Sequence, residues 1–197
     1  MNLKFKILKL LYQVKAFYYR LKGLTIGKQT FISGFPIFSQ CKNSKIVIGN
    51  NVVLHSKRKY NTLITNKIDI STIEPGAVVE LKDNCGLSGC KIVCANKVSI
   101  GEYTIIGPDT IIYDCKEHEY DPEIGWLGRR ERTGKPINIG ARCFIGMRCI
   151  ILKGVTIGDN CVISAGTIIT KDVPPGHLAY GNPAIYTPLS KKNGGIS

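Results

Sequence analysis

The feature that most constrains this chain is a period of six. Isoleucine recurs at Ile139, Ile145, Ile151, Ile157, Ile163 and Ile169 without a slip. Upstream, Cys94, Ile100, Ile106 and Ile112 keep the same spacing, and Ile26 to Ile32 and Ile48 to Leu54 repeat it less regularly. Six matches neither the 3.6-residue turn of a helix nor the two-residue alternation of a long strand. It matches a short strand followed by a tight corner. The aliphatic residue points inward, and the glycine that often follows it (Gly27, Gly49, Gly101, Gly107, Gly140, Gly146, Gly158) is expected to supply the corner's torsions. Four positions after each aliphatic comes a second small residue: Thr104, Thr110, Cys143, Cys149, Val155, Cys161 and Thr167. Two inward residues per side line a narrow prism. Three sides make a coil of about 18 residues, and stacked coils pair their strands about 4.8 Å apart. The period therefore predicts a parallel β-solenoid with all six isoleucines buried on successive sides. Ordinary antiparallel hairpins would have no reason to hold the phase.

The phase fails twice. Residues 1–22 carry Leu3, Ile7, Leu10, Val14, Phe17 and Leu21 at spacings of four and three, which is one stripe of a helix. A second stripe carries Phe5, Leu8, Tyr12 and Tyr19, and the helix has basic residues and no acid. We expect it to dock on the solenoid's end through the regular stripe, hiding strand edges; contact with an acidic membrane surface is the other reading. Between Ile112 and Ile139 the phase is lost again, so residues 113–136 leave the coil as a polar loop, where function is usually carried. The expected organisation is a helix over 1–22, the β-helix domain over 23–186 and a polar tail over 187–197.

Composition narrows the partners. There are 27 basic and 14 acidic residues, a net charge of +13 that suits phosphorylated ligands or acidic lipid. No helix-turn-helix, zinc-finger or RNA-binding signature points to nucleic acid. Eight cysteines without a CxxC pair fit neither a zinc site nor a disulfide framework, and the repeat absorbs most of them as small core residues. No metal is predicted. No uncharged apolar run is long enough to span a bilayer, and the lysine-interrupted start lacks the pattern of a secretory signal. The expected location is the cytoplasm, with peripheral contact at the inner face of the membrane as an option.

The run INIGARCFIGMRCIILKGVTIGDNCVISAGTIITKDVPPGHLAYGNPA, ending at Ala184, resembles the C-terminal half of the hexapeptide-repeat acyltransferases, in particular the maltose, galactoside and polysaccharide O-acetyltransferases. The resemblance covers roughly residues 70–186. It implies a left-handed parallel β-helix, acetyl-coenzyme A as acyl donor, a sugar hydroxyl as acceptor in cell-surface polysaccharide synthesis, and a homotrimer with sites between neighbouring chains. N-acetylation of an amino sugar or xenobiotic is the enzymatic alternative. A non-catalytic assembly or binding solenoid is the alternative of another class.

Thioester-to-hydroxyl transfer needs a base for the hydroxyl proton, a donor for the oxyanion and a proton for the departing thiolate, and histidine serves as base and acid. His118 stands six residues after Ile112, where the phase leaves the coil, and matches the family's catalytic histidine. Its orienting partner is expected to be Asp114, with Glu117 or a backbone carbonyl as alternatives. His55, beside Ser56-Lys57-Arg58-Lys59, reads as solvated surface, and His177 as a terminal-loop residue. The resemblance places the oxyanion donor at the Met147 amide, after Phe144-Ile145-Gly146, with Phe144 where the family has tryptophan. It assigns coenzyme contacts to Phe144, Ala165, Thr170, Lys171, Asn182 and Pro183, and an acceptor contact to Asn84, for which a turn role is equally natural. Cys115 lies three residues before His118, but acylating it would only exchange one thioester for another, so direct transfer is expected.

Overall fold

The computed structural model describes residues 3–116, 118–128 and 133–189, with side chains from Tyr12 onward. It is a left-handed parallel β-helix of triangular section. The first face stacks Thr25–Ile26, Lys45–Ile48, Val78–Leu81, Lys97–Ile100, Ile137–Ile139 and Thr156–Ile157. The second stacks Phe31–Ser33, Val53–His55, Gly86–Ser88, Ile105–Ile106, Phe144–Ile145, Val162–Ile163 and His177–Tyr180, with Ile185–Pro188 antiparallel at its end. The third stacks Ile37–Ser39, Asp69–Thr72, Lys91–Cys94, Ile111–Tyr113, Ile150–Leu152 and Ile168–Ile169. All six isoleucines from Ile139 to Ile169 are buried, in turn on the first, second and third faces. The last strand pairs Thr187 with Leu178 and Pro188 with His177, so ordered structure runs two residues past the expected end of the domain.

The repeat's glycines do a different job from the one expected. None of Gly27, Gly49, Gly101, Gly107, Gly140, Gly146 and Gly158 has positive φ. The left-handed residue lies two positions later: Gln29, Asn51, Tyr103, Asp109, Arg142, Arg148 and Asn160. From Asn51 onward its backbone N–H donates to the previous coil, as from Asn51 to Lys28 O (2.9 Å) and from Arg142 to Glu102 O (2.8 Å), which offsets a torsional cost of about 1 kcal/mol or more per residue. The glycines are required because stacked backbones nearly touch: a Cβ on Gly101 would sit 2.4 Å from the Gly140 carbonyl carbon.

The second inward residue also has a chemical role. Thr104 and Thr110 donate their hydroxyls to the carbonyls of Gly140 and Gly146 on the next coil (2.7 and 2.8 Å). Cys85, Cys143 and Cys149 donate thiols in the same way to Gly101, Gly158 and Ser164 (3.0, 3.1 and 3.2 Å). Cysteine and threonine alternate here because both are small and both bring a donor. Burial pushes the thiols up, to about 11 for Cys85 and Cys143 and about 12 for Cys90, so they are poor nucleophiles. The buried Thr167 hydroxyl has no partner, because beyond its corner the chain turns into the terminal hairpin instead of adding a coil.

The N-terminal helix Leu3–Leu21 docks on the first coil, but not through the regular stripe. Tyr12, Ala16 and Tyr19 are buried, whereas Val14, Phe17 and Leu21 are 57%, 58% and 72% exposed. The physical reason lies in the solenoid's first edge. Its carbonyls have no preceding coil to pair with, and among the described side chains it is the Tyr12–Tyr19 side of the helix that brings donors to them. Lys15 Nζ reaches Gly34 O (3.0 Å), Tyr19 Oη reaches Pro36 O (2.8 Å), and Arg20 bonds Ile26 O and Gly27 O (2.9 and 3.0 Å through Nη2). An aliphatic stripe would have buried those carbonyls unpaired.

His55 is also misplaced by the sequence reading. It is half-buried, stacked on Tyr60 (ring centroids 5.2 Å), edge-on to Phe31, with Nδ1 3.2 Å from Ser33 Oγ. Tyr60 in turn meets Tyr12 through their hydroxyls (3.0 Å), which ties the loop after Ser56 to the helix. Burial lowers the His55 pKa from its ordinary 6.5. The unfolded chain therefore binds this proton more readily, and stability from this group is lost as pH falls below about 6.5 toward the folded value. Thermal melts across that interval should show a falling midpoint, and His55→Gln should flatten that portion of the curve.

Candidate active site

After Tyr113, the last residue of its third-face strand, the chain leaves the corner between the third and first faces, and residues 118–128 form a built arm rather than an open loop. His118–Asp121 and Gly125–Gly128 form an antiparallel hairpin, with His118 opposite Gly128. Asp121 Oδ1 accepts from the backbone N–H groups of Glu123 and Ile124 (2.8 and 3.0 Å), and Gly125 takes the left-handed conformation that the turn requires. At the base, Cys115 bridges Gly134, the Lys135 N–H donates to Asp114 O (2.7 Å) and Asn96 Nδ2 donates to Gly134 O (3.1 Å). The clamp gives His118 a fixed root. The side chain itself is exposed, while Ile124 and Trp126 stand out into solvent at the arm's end.

Asp114 is spent elsewhere. It is fully buried, its Oδ1 accepts from the Ala95 N–H (2.7 Å), and its Oδ2 accepts from the Asn96 N–H (2.9 Å) and the Cys94 thiol (3.4 Å). Its carboxylate therefore holds the neighbouring corner instead of orienting the imidazole. Glu117 lies outside the described residues. Cys115 is buried at the hairpin base, a structural position. His177 is held locally, donating Nδ1–H to Pro175 O (2.9 Å).

The predicted coenzyme residues divide between two edges. Phe144, Met147 and Ala165 line one cleft of about 330 Å³ with Ile105, Pro108 and Leu63, where the second face turns into the third. Phe144 and Ile105 are half-exposed neighbours across the ladder, giving the cleft an apolar wall. Asn182 and Pro183, joined by a cis peptide, form the exposed turn where the second face ends. Thr170 and Lys171 are exposed on the edge that carries the hairpin. Asn84 stands on the remaining edge in a left-handed corner conformation, its N–H donating to Asn50 O (2.9 Å), so the turn role accounts for its identity.

One detail of the cleft concerns the Met147 N–H. At three corners between the first and second faces the residue after the repeat glycine has its N–H capped by a side chain of the next coil: Ala141 by Asp159 Oδ1, Asn50 by Asp83 Oδ1 and Lys28 by Asn50 Oδ1, each at 2.8 Å. Met147 occupies that position on its own corner, and the residue stacked on it is Ala165, which has no oxygen to offer. The cap is missing where a cleft opens. An uncapped N–H facing a partly apolar cleft can bind a carbonyl oxygen or an oxyanion. Sequence reasoning reached Met147 only through resemblance, and Ala165 alone is no signal within the repeat, since Ala141 stacks on Glu102 in the same way.

Comparisons agree with this architecture. A family model described as the hexapeptide repeat of succinyl-transferase matches residues 136–171. Nodulation protein L of Rhizobium meliloti is 38% identical over 128 residues, covering 58% of this chain and 68% of that protein. Galactoside O-acetyltransferase of Escherichia coli is 42% identical over 86 residues, 44% of this chain and 41% of that one. The N-acyltransferase AntD from Bacillus cereus, solved with a dTDP-amino sugar and coenzyme A, shares the fold at a TM-score of 0.65, with 16% identity and 89% of each chain covered. The chain spans about half the length of the first curated relatives it matches. The two-thirds coverage of the Rhizobium relative, together with the stacked coils, places this chain in the hexapeptide-repeat acyltransferase family.

Proposed function

We propose that the protein transfers an acetyl group from acetyl-coenzyme A to a sugar hydroxyl, the acceptor being a unit of a cell-surface polysaccharide. The observations that support this reading are an exposed histidine on the hairpin of one edge and an apolar-walled cleft lined by Met147 on another. His118 takes the proton from the acceptor hydroxyl as its oxygen attacks the thioester carbonyl. The Met147 N–H holds the negative charge that develops on the carbonyl oxygen. Collapse of the tetrahedral intermediate breaks the carbon–sulfur bond, and the imidazolium returns its proton to the departing thiolate.

Within one chain, His118 and the Met147 cleft belong to different edges of the prism. A second copy that sets its hairpin edge beside this cleft would complete the site, and three-fold closure satisfies every copy at once. The exposed Ile124 and Trp126 suit such a contact. We therefore propose a homotrimer working in the cytoplasm. Thiol release from acetyl-coenzyme A, screened against sugars and amino sugars, tests the reaction. Acceptor-dependent release with hydroxyl sugars is expected. Release with amines alone would assign N-acetylation, and none with any acceptor would leave a binding solenoid. Light scattering that finds a monomer at active dilution would remove the shared site.

A further inference from the structure

The net charge of this protein is not spread over it. Residues 1–68 contain 13 Lys and Arg and no Asp or Glu, while residues 69–197 contain 14 of each sign. The whole excess of +13 therefore lies in the N-terminal helix and the first two coils. Lys22, Lys28, Lys42, Lys45 and Lys67 are exposed there, as are Lys57, Arg58 and Lys59 on the loop that Tyr60 fastens to Tyr12. Lys15 Nζ donates to Gly34 O (3.0 Å), and a Cβ at Gly34 would lie 3.0 Å from Lys57 Cγ, which places this basic loop beside the helix.

The same end exposes apolar surface. Val14, Phe17 and Leu21 face outward on the helix, and Tyr18 beside them is also exposed. We infer that this end of the solenoid seats on an acidic lipid surface, with the Val14–Phe17–Leu21 stripe entering the headgroup layer and the surrounding lysines meeting anionic headgroups.

Charge decides among the occupants. A second copy of the helix would bring another acid-free basic segment against this one, and like charges repel. A nucleic acid would satisfy the lysines but leave Phe17 and Leu21 without an apolar partner. An anionic bilayer answers both features, because its interface takes apolar side chains and its headgroups attract basic ones. No helix among the described residues is long and apolar enough to cross a membrane, so the helix lies on the surface. In the proposed homotrimer the three helices would share one end, multiplying a weak contact into a stable one; that multiplication alone rests on the trimer.

The test is co-sedimentation of the full chain with phosphatidylcholine vesicles, with and without phosphatidylglycerol. It needs neither acetyl donor nor acceptor, so its result is independent of the transfer reaction. Binding is expected only with phosphatidylglycerol and should weaken as salt rises. Phe17→Glu/Leu21→Glu should weaken it by about 10-fold or more with an unchanged melting midpoint, since both side chains are already in solvent. Lys57→Gln/Arg58→Gln/Lys59→Gln should weaken it without touching the apolar stripe. The inference is overturned if the wild type ignores acidic vesicles, binds neutral ones equally well, or keeps its affinity in the Phe17/Leu21 variant. It is also overturned if that variant changes the oligomeric state, or if the chain binds duplex DNA and not the vesicles.

Discussion

His118→Ala should lower kcat by about 10²- to 10⁴-fold, the usual contribution of a positioned general base. Folding should be untouched, because the side chain is exposed and the hairpin is held at its base by Cys115, Asn96 and Lys135. Coenzyme binding should be nearly unchanged, because Phe144, Met147 and Ala165 lie on another edge of the chain. The loss should therefore appear in kcat rather than in the affinity for the donor. Cys115→Ser gives the contrast. It sits at the hairpin's root and should retain most activity, whereas a covalent route would show loss at both positions and an acetyl group trapped on Cys115. Full activity in a well-folded His118→Ala protein would sink the site assignment. His55 and His177 would be poor replacements, since the first is packed between Tyr60 and Phe31 and the second is bonded to Pro175 O.

The coils were legible in the sequence because a six-residue period has one geometric meaning. Each inward isoleucine reports its own burial, and the break after Ile112 reports a departure from the coil. The misreadings occurred where hydrogen bonding rather than apolar periodicity makes the choice. The helix has two stripes, and the more regular aliphatic one lost because the first coil's carbonyls require donors that Lys15, Tyr19 and Arg20 supply. Asp114 lies four residues before His118, a spacing that invites a pair. The backbone N–H groups of Ala95 and Asn96, nineteen and eighteen residues earlier, claim its carboxylate instead, and nothing in the local sequence announces them. Likewise, Thr104 and Cys143 look like fillers until the stacked coil supplies a carbonyl. Contacts between coils follow the stacking register, so local spacing does not display them.

Gly101→Ala should be among the most destabilising substitutions in the chain. Replacing glycine usually helps where the torsions allow it, by about 0.4–1 kcal/mol, because the unfolded chain loses freedom. Gly101 has no positive φ, so torsion offers no objection. The objection is contact: the new methyl carbon would lie 2.4 Å from Gly140 C, 2.5 Å from Ala141 N and 2.6 Å from Gly140 O, all backbone. A side chain could swing away, but these atoms are fixed by Gly101 N–H to Ile139 O (2.8 Å) below and Gly140 N–H to Ile157 O (2.7 Å) above. Relief requires opening the stack at the corner, which breaks ladder bonds and loosens Ile100 against Ile139. A net loss of about 3 kcal/mol or more is expected, in the range of severe overpacking. Gly128→Ala is the matched control, since nothing lies within 4 Å of its new methyl group. Its unfolding free energy from urea melts should stay within about 0.5 kcal/mol of the parent, with the midpoint nearly unmoved, as for surface substitutions generally. If the Gly101→Ala midpoint moved no further than that of Gly128→Ala, close stacking would not be why glycine follows isoleucine in this repeat.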